Sequence, residues 1–241
     1  MLRGMNLKVR QPQFCGETFS LAGVDVSHVG GLSAWDNAAM GFYSERVFPR
    51  ALNRMMDTEQ TRTIRSRVCA PLTGEVLEIG FGTGLNLPYL PSEVRVLRAV
   101  DPMERGRVLA RERLTASPVD VEFIGLDGQK IPLDDESVDS ALSTWTLCSI
   151  PDPVAAVREI RRVLRPGGTL RFVEHGRSPD ARVLTWQRRL NPLQRRVAGG
   201  CTLDSDIAAI IEAGGLVIDH IDTYYSKGRA MAMLSHLTGG G

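Results

Sequence analysis

Val76-Leu77-Glu78-Ile79-Gly80-Phe81-Gly82-Thr83-Gly84 is the stretch around which the chain is organised. An apolar run with one embedded acid breaks into three glycines at alternate positions. A buried parallel strand that ends at a ligand reads this way, because glycine lets the backbone turn sharply and approach a bound molecule with no Cβ between them. Glu78 does not suit a plain core strand, since an isolated buried carboxylate is costly unless something pairs with it. A cationic or multiply hydrogen-bonding ligand supplies that partner. The glycines are not the dinucleotide fingerprint, which places its third glycine three positions after the second; this chain has Leu85 there.

Residues 94–100 read as a second strand that delivers Asp101 at its end, where an acid accepts both hydroxyls of a ribose. A glycine turn alone is as often a tight structural turn as a cofactor site. The acid one strand later favours a nucleoside ligand. Together with Val163-Leu164-Arg165-Pro166-Gly167-Gly168, a helix-ending turn further on, this stretch resembles the class I S-adenosylmethionine-dependent methyltransferases. It is most similar to the branch of ubiquinone/menaquinone biosynthesis methyltransferases and thiol methyltransferase-like enzymes. The similarity covers about residues 72–237 in several ordered motifs and fades before Trp35.

The resemblance implies an α/β fold: a doubly wound, mostly parallel seven-stranded sheet with one antiparallel edge strand and an N-terminal helical lid. The implied cofactor is S-adenosyl-L-methionine. Gly80, Gly82 and Gly84, with Phe81 between, admit its amino-acid end, and Glu78 fixes the turn or the ammonium. Asn86 sits where it can bond the same end. Asp101, followed by Pro102, takes the ribose. In the resembling family an acid after the third strand accepts from the adenine amino group, and that place falls on Asp127, followed by Gly128. A loop acid is otherwise simply solvated.

Composition sets the frame. A chain of 241 residues, 43% apolar and 24% charged, is ordinary for a globular protein able to bury one large α/β core. No apolar run approaches the roughly 20 residues that span a bilayer. A net charge of +1 gives no global attraction to nucleic acid. Cys15, Cys69, Cys148 and Cys201 are scattered with no Cys-x-x-Cys pair, so spacing indicates neither a metal site nor a disulfide framework, and a reducing cytoplasm is expected.

The reading divides the chain into an irregular extension at 1–33, a helical lid at 34–70 and the core at 71–241. Trp35, Ala38, Ala39, Phe42, Tyr43 and Val47 fall at helical spacing; Pro49 interrupts, and Leu52, Met55 and Met56 resume. Packing against the core explains them without any substrate contact. The family's lid pattern appears here as Trp35-Asp36 and Phe42-Tyr43. A short helix from about Leu85, a helix over 103–116, and strands at 119–124 and 137–145 follow, the last ending in a pocket at Thr144, Trp145 and Cys148. Asp152-Pro153 starts a helix whose arginines, Arg158, Arg162 and Arg165, are expected to be solvated. The fifth strand, over 169–174, carries Glu174 and His175 to the same edge as Glu78 and Asp101. His175 is the candidate catalytic group, against the commoner role of a hydrogen-bonded structural histidine. Val183, Trp186, Leu190, Leu193 and Val197, with five arginines on the other faces, read as a core-packing helix pair broken at Pro192; contact with an anionic membrane is the alternative. Strands over 216–223 and 230–237 close an antiparallel edge.

Methyl transfer from a sulfonium is an in-line displacement needing alignment, exclusion of water and neither metal nor covalent intermediate. No Asn/Asp-Pro-Pro-Tyr/Phe element follows the fourth strand, which disfavours nucleic acid and favours a small acceptor: a thiol, a phenol, another heteroatom or a quinone-type ring carbon. Two other classes stand beside this reading. A nucleoside-sensing or membrane-associated module needs the pocket without turnover, and a nicotinamide-dependent oxidoreductase needs the missing third glycine.

Overall fold

The computed structural model describes residues 9–10, 48–225 and 236–240. Five parallel strands form its centre: β1 (Gly74–Ile79), β2 (Val94–Val100), β3 (Asp120–Gly125), β4 (Val138–Thr144) and β5 (Leu164–Gly176). Their order across the sheet is β3-β2-β1-β4-β5. The order reverses between β1 and β4, and the crevice of such a sheet opens beyond the carboxyl ends of the strands at that reversal. The glycine stretch leaves β1 at this point.

Alternation along the strands sends side chains into two cores. Leu77 and Ile79 face α5 (Pro153–Val163) and α7 (Ile207–Ala213) through Val157, Ile160 and Ile211. Val76, Leu142 and Val173 face the opposite way, onto Val68, Cys69 and Leu72 at the end of α2 (Glu59–Cys69). Glu78, two residues after Val76, therefore points to the α2 side, because strand side chains repeat every second residue. Helix α5 begins as its sequence indicates: Asp152 accepts from the Ala155 N–H at 2.9 Å, and Pro153 occupies the first turn. Between β2 and β3 lie α3 (Glu104–Leu109) and α4 (Arg111–Ala116), where one helix was expected.

Several expectations are corrected. Residues 34–47, including Trp35, Asp36, Phe42 and Tyr43, lie outside the described residues. The described part of the expected lid comprises α1 (Phe48–Met55), with Pro49 at its second residue, and α2, which apolar periodicity did not mark. Thr58 caps α2, its hydroxyl accepting from the Thr61 N–H while Thr61 returns the bond to the Thr58 backbone. Of the three arginines expected to be solvated, Arg158 is exposed, but Arg162 bonds Glu159, Asp135 and two backbone carbonyls, and Arg165, which falls in β5, pairs with Asp139 at 2.7 Å. The closing antiparallel pair is Asp222–Tyr225 with His236–Gly240, which also pairs β5; the strand expected over 216–223 is extended at Val217–Ile218 and again from Asp222 but not at 219–221, and residues 230–235 of the other expected strand lie outside the described residues.

Residues 181–197 form one helix, α6 (Ala181–Val197), with Pro192 inside it. The buried face is rotated from the expected one: Val183 and Leu190 are half-buried, but Trp186 and Leu193 are exposed, while Gln187 and Asn191 are buried. Gln187 accepts from the Ser178 N–H and donates to the Gly176 carbonyl; Asn191 accepts from the Leu203 N–H and donates to Asp204. Buried polar groups demand such partners, and here they determine which face docks. No helix among the described residues is long and apolar enough to cross a membrane.

Candidate active site

The carboxyl ends of β1, β2, β4 and β5 surround a cavity of about 1060 Å³. Ala51, Met55, Met56 and Arg65, from α1, α2 and the turn between them, form part of its wall. Of the residues singled out in the sequence, Gly80, Phe81, Gly82, Asp101, Pro102, Asp127, Gly128, Thr144 and His175 all line it. Glu78, Gly84 and Asn86 are buried behind that wall.

The glycine turn is shaped by close approach. Gly80 has φ +81°, and a Cβ there would overlap the Thr146 hydroxyl. On the other side, a Cβ at Gly106 would lie 2.1 Å from the Gly82 carbonyl oxygen, so α3 abuts the turn directly. Asp101 ties the two together: one carboxylate oxygen accepts from the Gly82 N–H and the other from the Met103 N–H, each at 2.6 Å. Burial raises the Asp101 pKa, opposed by those two bonds and by Arg107. Thr83 donates to Asn53 of α1 at 2.8 Å, and Arg113 reaches both Asn53 and the Thr83 carbonyl, fastening α1 to the turn.

Behind the turn lies a buried polar network. Asn86 donates to Glu78 at 2.5 Å and to the Thr144 hydroxyl at 3.0 Å, and accepts from Arg65 at 2.5 Å; Arg65 also reaches Thr144 at 3.2 Å. Asn86 thus has both ends of its amide engaged with protein, in the layer beneath the cavity. Glu78 Oε2 and Arg65 Nε have no hydrogen-bond partner although both are buried. Arg65 lies 4.8 Å from the ring centroid of Trp145, whose φ of +53° is rare for a bulky residue and turns the chain away from β4. Burial lowers the Arg65 pKa to about 10 against the raising effect of Glu78, and burial raises that of Glu78 to about 7 against Asn86 and Arg65. Arg65 carried no sequence signal, because α2 has few apolar positions to mark its buried face.

The Glu78 shift makes stability pH-dependent. With its folded pKa above the unfolded value, the group's contribution is complete below about pH 4.5 and is lost as pH rises through about 7. The limiting loss is about 3 kcal/mol. Asp101 and Glu174 shift in the same direction. Denaturant unfolding of the ligand-free chain across this window is expected to show falling stability, with a shallower slope in Glu78→Gln. An equal slope in that variant would remove Glu78 as its cause.

At the rim, Asp127 is exposed; its Oδ1 accepts from the backbone and side-chain N–H groups of Gln129, which hold its pKa low. Across the cavity, Glu174 and His175 end β5 on opposite faces. Buried Glu174 accepts from the Ser143 hydroxyl and from the N–H groups of Thr146, Leu147 and Cys148. His175 Nδ1 lies 3.8 Å from the sulfur of Cys148 and 3.4 Å from that of Cys201, and the two sulfurs are 3.4 Å apart. Contacts with Cys148 and His175 lower the Cys201 pKa, while Cys148 is raised by its bond with Cys201, by burial and by Glu174. Cysteine spacing along the chain gives no sign of this cluster, and Cys201 was not among the expected site residues.

Comparison with known proteins agrees with this geometry. Residues 77–172 match the family model described as a methyltransferase domain. The rat thiol S-methyltransferase TMT1B is 35% identical over 150 residues, covering 57% of each chain. Human TMT1B is 32% identical over 191 residues, covering 71% of this chain and 74% of its own. The chain thus spans little more than half of the rat relative. A crystal structure of a putative methyltransferase from Bacillus halodurans superposes with a TM-score of 0.60 at 20% identity, covering 69% of this chain and 73% of that one, and shares the fold.

Proposed function

The chain belongs to the class I S-adenosylmethionine-dependent methyltransferases, and from that premise we propose that it methylates a small molecule, with a thiol as the acceptor. The observation that carries this reading is one cavity with two unlike walls. A glycine turn and Asp101 stand on one side, and His175 with Cys201 on the other; Cys148, expected to line the same pocket, touches both of them from behind and lines a neighbouring pocket instead. About 1060 Å³ is at the upper end of single-ligand pockets, which leaves room for two reactants. The thiol follows from the name of the TMT1B relatives, taken over here as part of the proposal.

The residues present fit the cofactor. Buried Arg65 and Glu78, each with an unpartnered polar atom, supply a cation and an acid beside the turn, complementary to an amino-acid carboxylate and ammonium. Asp101 retains acceptor capacity for a ribose beyond its two backbone bonds. Asp127 at the rim suits the adenine amino group. In this assignment Gly80, Phe81, Gly82, Gly84, Pro102, Gly128 and Thr144 shape the cofactor chamber, and Asn86 acts by holding Glu78, Thr144 and Arg65 in place. When bound, the cofactor supplies an electrophilic methyl group on a sulfonium. The chain's task is to align the acceptor sulfur with it, keep water out and stabilise the acceptor as a nucleophile. His175 is the catalytic candidate at the acceptor end. Residues 34–70 serve as a lid over residues 71–241, with 1–33 as an extension; the sheet of the described residues has nine strands rather than the expected seven, with both Val9–Arg10 and His236–Gly240 antiparallel to β5.

Two measurements test this. S-adenosylmethionine or its demethylated product is expected to stabilise the chain thermally while NAD(H) does not, since a ligand bound only to the folded state adds RT ln(1 + [L]/Kd). Demethylated cofactor is then expected to accumulate with small thiols, faster than with phenols or amines. Stabilisation without release on any acceptor would make the chain a sensor. His175→Ala is expected to keep cofactor affinity within about threefold while lowering turnover roughly 100-fold, as displacement of an aligned group does. Unchanged turnover would make His175 structural.

A further inference from the structure

We propose that Cys148, His175 and Cys201 form a three-ligand site for a thiophilic cation, open on its fourth side to the cavity, where a thiol acceptor becomes the fourth ligand. The cation site rests on geometry alone; only the identity of the fourth ligand rests on the methyl-transfer reading above.

The three residues come from separate segments: the turn after β4, the end of β5 and the loop after α6. Tetrahedral Zn²⁺ with sulfur at about 2.3 Å and nitrogen at about 2.0 Å sets ligand atoms roughly 3.5 to 3.8 Å apart. The triangle here has edges of 3.4, 3.4 and 3.8 Å. Polar atoms converging this closely on one point, with the cysteines 4% and 5% exposed, describe a ligand set before its ion arrives. The set is also held in place. Glu174 accepts from the Cys148 N–H, and Thr202, next to Cys201, donates to the Cys148 carbonyl from its N–H at 2.9 Å and its hydroxyl at 3.1 Å. Partners of this kind fix the orientation of metal ligands.

Two sulfurs and an imidazole favour Zn²⁺ and similar soft or borderline ions over Mg²⁺ or Ca²⁺. Three protein ligands with one position left over characterise sites that bind a reactant, whereas structural zinc sites are closed by four. His175 and Cys201 line the large cavity, whereas Cys148 lines a neighbouring pocket of about 330 Å³, so an ion among them would stand in the wall facing the acceptor. A thiol entering the open position releases its proton to solvent and stays on the ion as thiolate. That supplies the nucleophile without a dedicated base.

The test uses the full chain, stripped with a chelator and titrated anaerobically with Co²⁺. One equivalent is expected to bind, with thiolate-to-Co²⁺ charge-transfer absorption. Cys148→Ser and Cys201→Ser should each remove about half of that intensity, and the double variant all of it. His175→Ala should weaken Co²⁺ binding at least about tenfold. In the wild-type chain, where no variant has to fold, Zn²⁺ should protect Cys148 and Cys201 from alkylation and leave Cys69 unchanged. Absence of charge transfer, absence of protection, or a Co²⁺ spectrum that survives in the double variant overturns the site. Adding 2-mercaptoethanol to the Co²⁺ protein should raise the charge-transfer intensity by about half; an unchanged spectrum overturns the open fourth position. Methyl transfer is read separately from release of demethylated cofactor, so a Co²⁺ site without turnover would sink the proposed function and leave the cation site standing.

Discussion

Asp101→Ala is expected to weaken binding of S-adenosylmethionine by roughly 100-fold or more, measured by titration calorimetry against the wild-type chain. Two losses combine. A charge-assisted hydrogen bond is worth about 1.5 to 3 kcal/mol, and the variant forfeits those to the ribose, which is about 10- to 100-fold per bond. It also frees the N–H groups of Gly82 and Met103, both now held by this carboxylate at 2.6 Å. The turn and the start of α3 then lose the tie that keeps them beside the cavity. Asp101→Asn separates the parts: it keeps one acceptor oxygen but directs an amide N–H at a backbone N–H, so affinity should fall about tenfold or more with little loss of stability. A dissociation constant for Asp101→Ala within about threefold of wild type would show that the sugar is held elsewhere.

This residue was legible in the sequence, and the reason bears on what was not. The strand, the alternating glycines and the acid one strand later are features of short contiguous segments, and a parallel sheet brings consecutive strand ends together. Arg65 and Cys201 have no such local signature. Arg65 enters the site because Glu78 alternates onto the face covered by α2, and α2 shows too little apolar periodicity to reveal which side it buries. Cys148 and Cys201 are 53 residues apart, so spacing rules for adjacent ligand pairs pass over them, and only the β4–β5 turn and the loop after α6 make them neighbours. Helix α6 shows the limit of periodicity more sharply. Val183 and Leu190 of its apolar stripe are half-buried as expected, but Gln187 and Asn191 beside them find carbonyl, amide and carboxylate partners that rotate the docked face toward them and leave Trp186 and Leu193 exposed. Hydrophobic pattern fixes which residues share a face. It does not decide which face is buried when polar side chains have partners waiting.

Glu174→Ala is expected to destabilise the chain by about 3 to 5 kcal/mol, the range for removing one member of a buried, fully bonded charged group. Sequence reasoning placed Glu174 at the right strand end but gave the functional weight to His175. The structure divides the labour between them. Strand alternation turns Glu174 away from His175 into the core, where it is fully buried and accepts four hydrogen bonds: one from Ser143 and three from successive N–H groups of the turn at Thr146, Leu147 and Cys148. Three consecutive backbone donors facing one point must be satisfied there, since the turn offers them no other acceptor and each unmet donor costs about 1 to 3 kcal/mol. That single carboxylate therefore fixes the path of the chain after Trp145 and, through it, the position of the Cys148 sulfur against His175 and Cys201 of the acceptor wall. Glu174→Gln should recover about half of the loss, because the amide keeps an oxygen for part of the turn but brings a donor against the rest. Denaturant midpoints give the stability change, and the alkylation rate of Cys148 reports the turn itself, which should rise in both variants while that of Cys69, on the α2 side of the sheet, holds steady. A change in stability below about 1 kcal/mol for Glu174→Ala would mean that the turn is held by its own backbone, and the acceptor wall would then owe its shape to something other than this carboxylate.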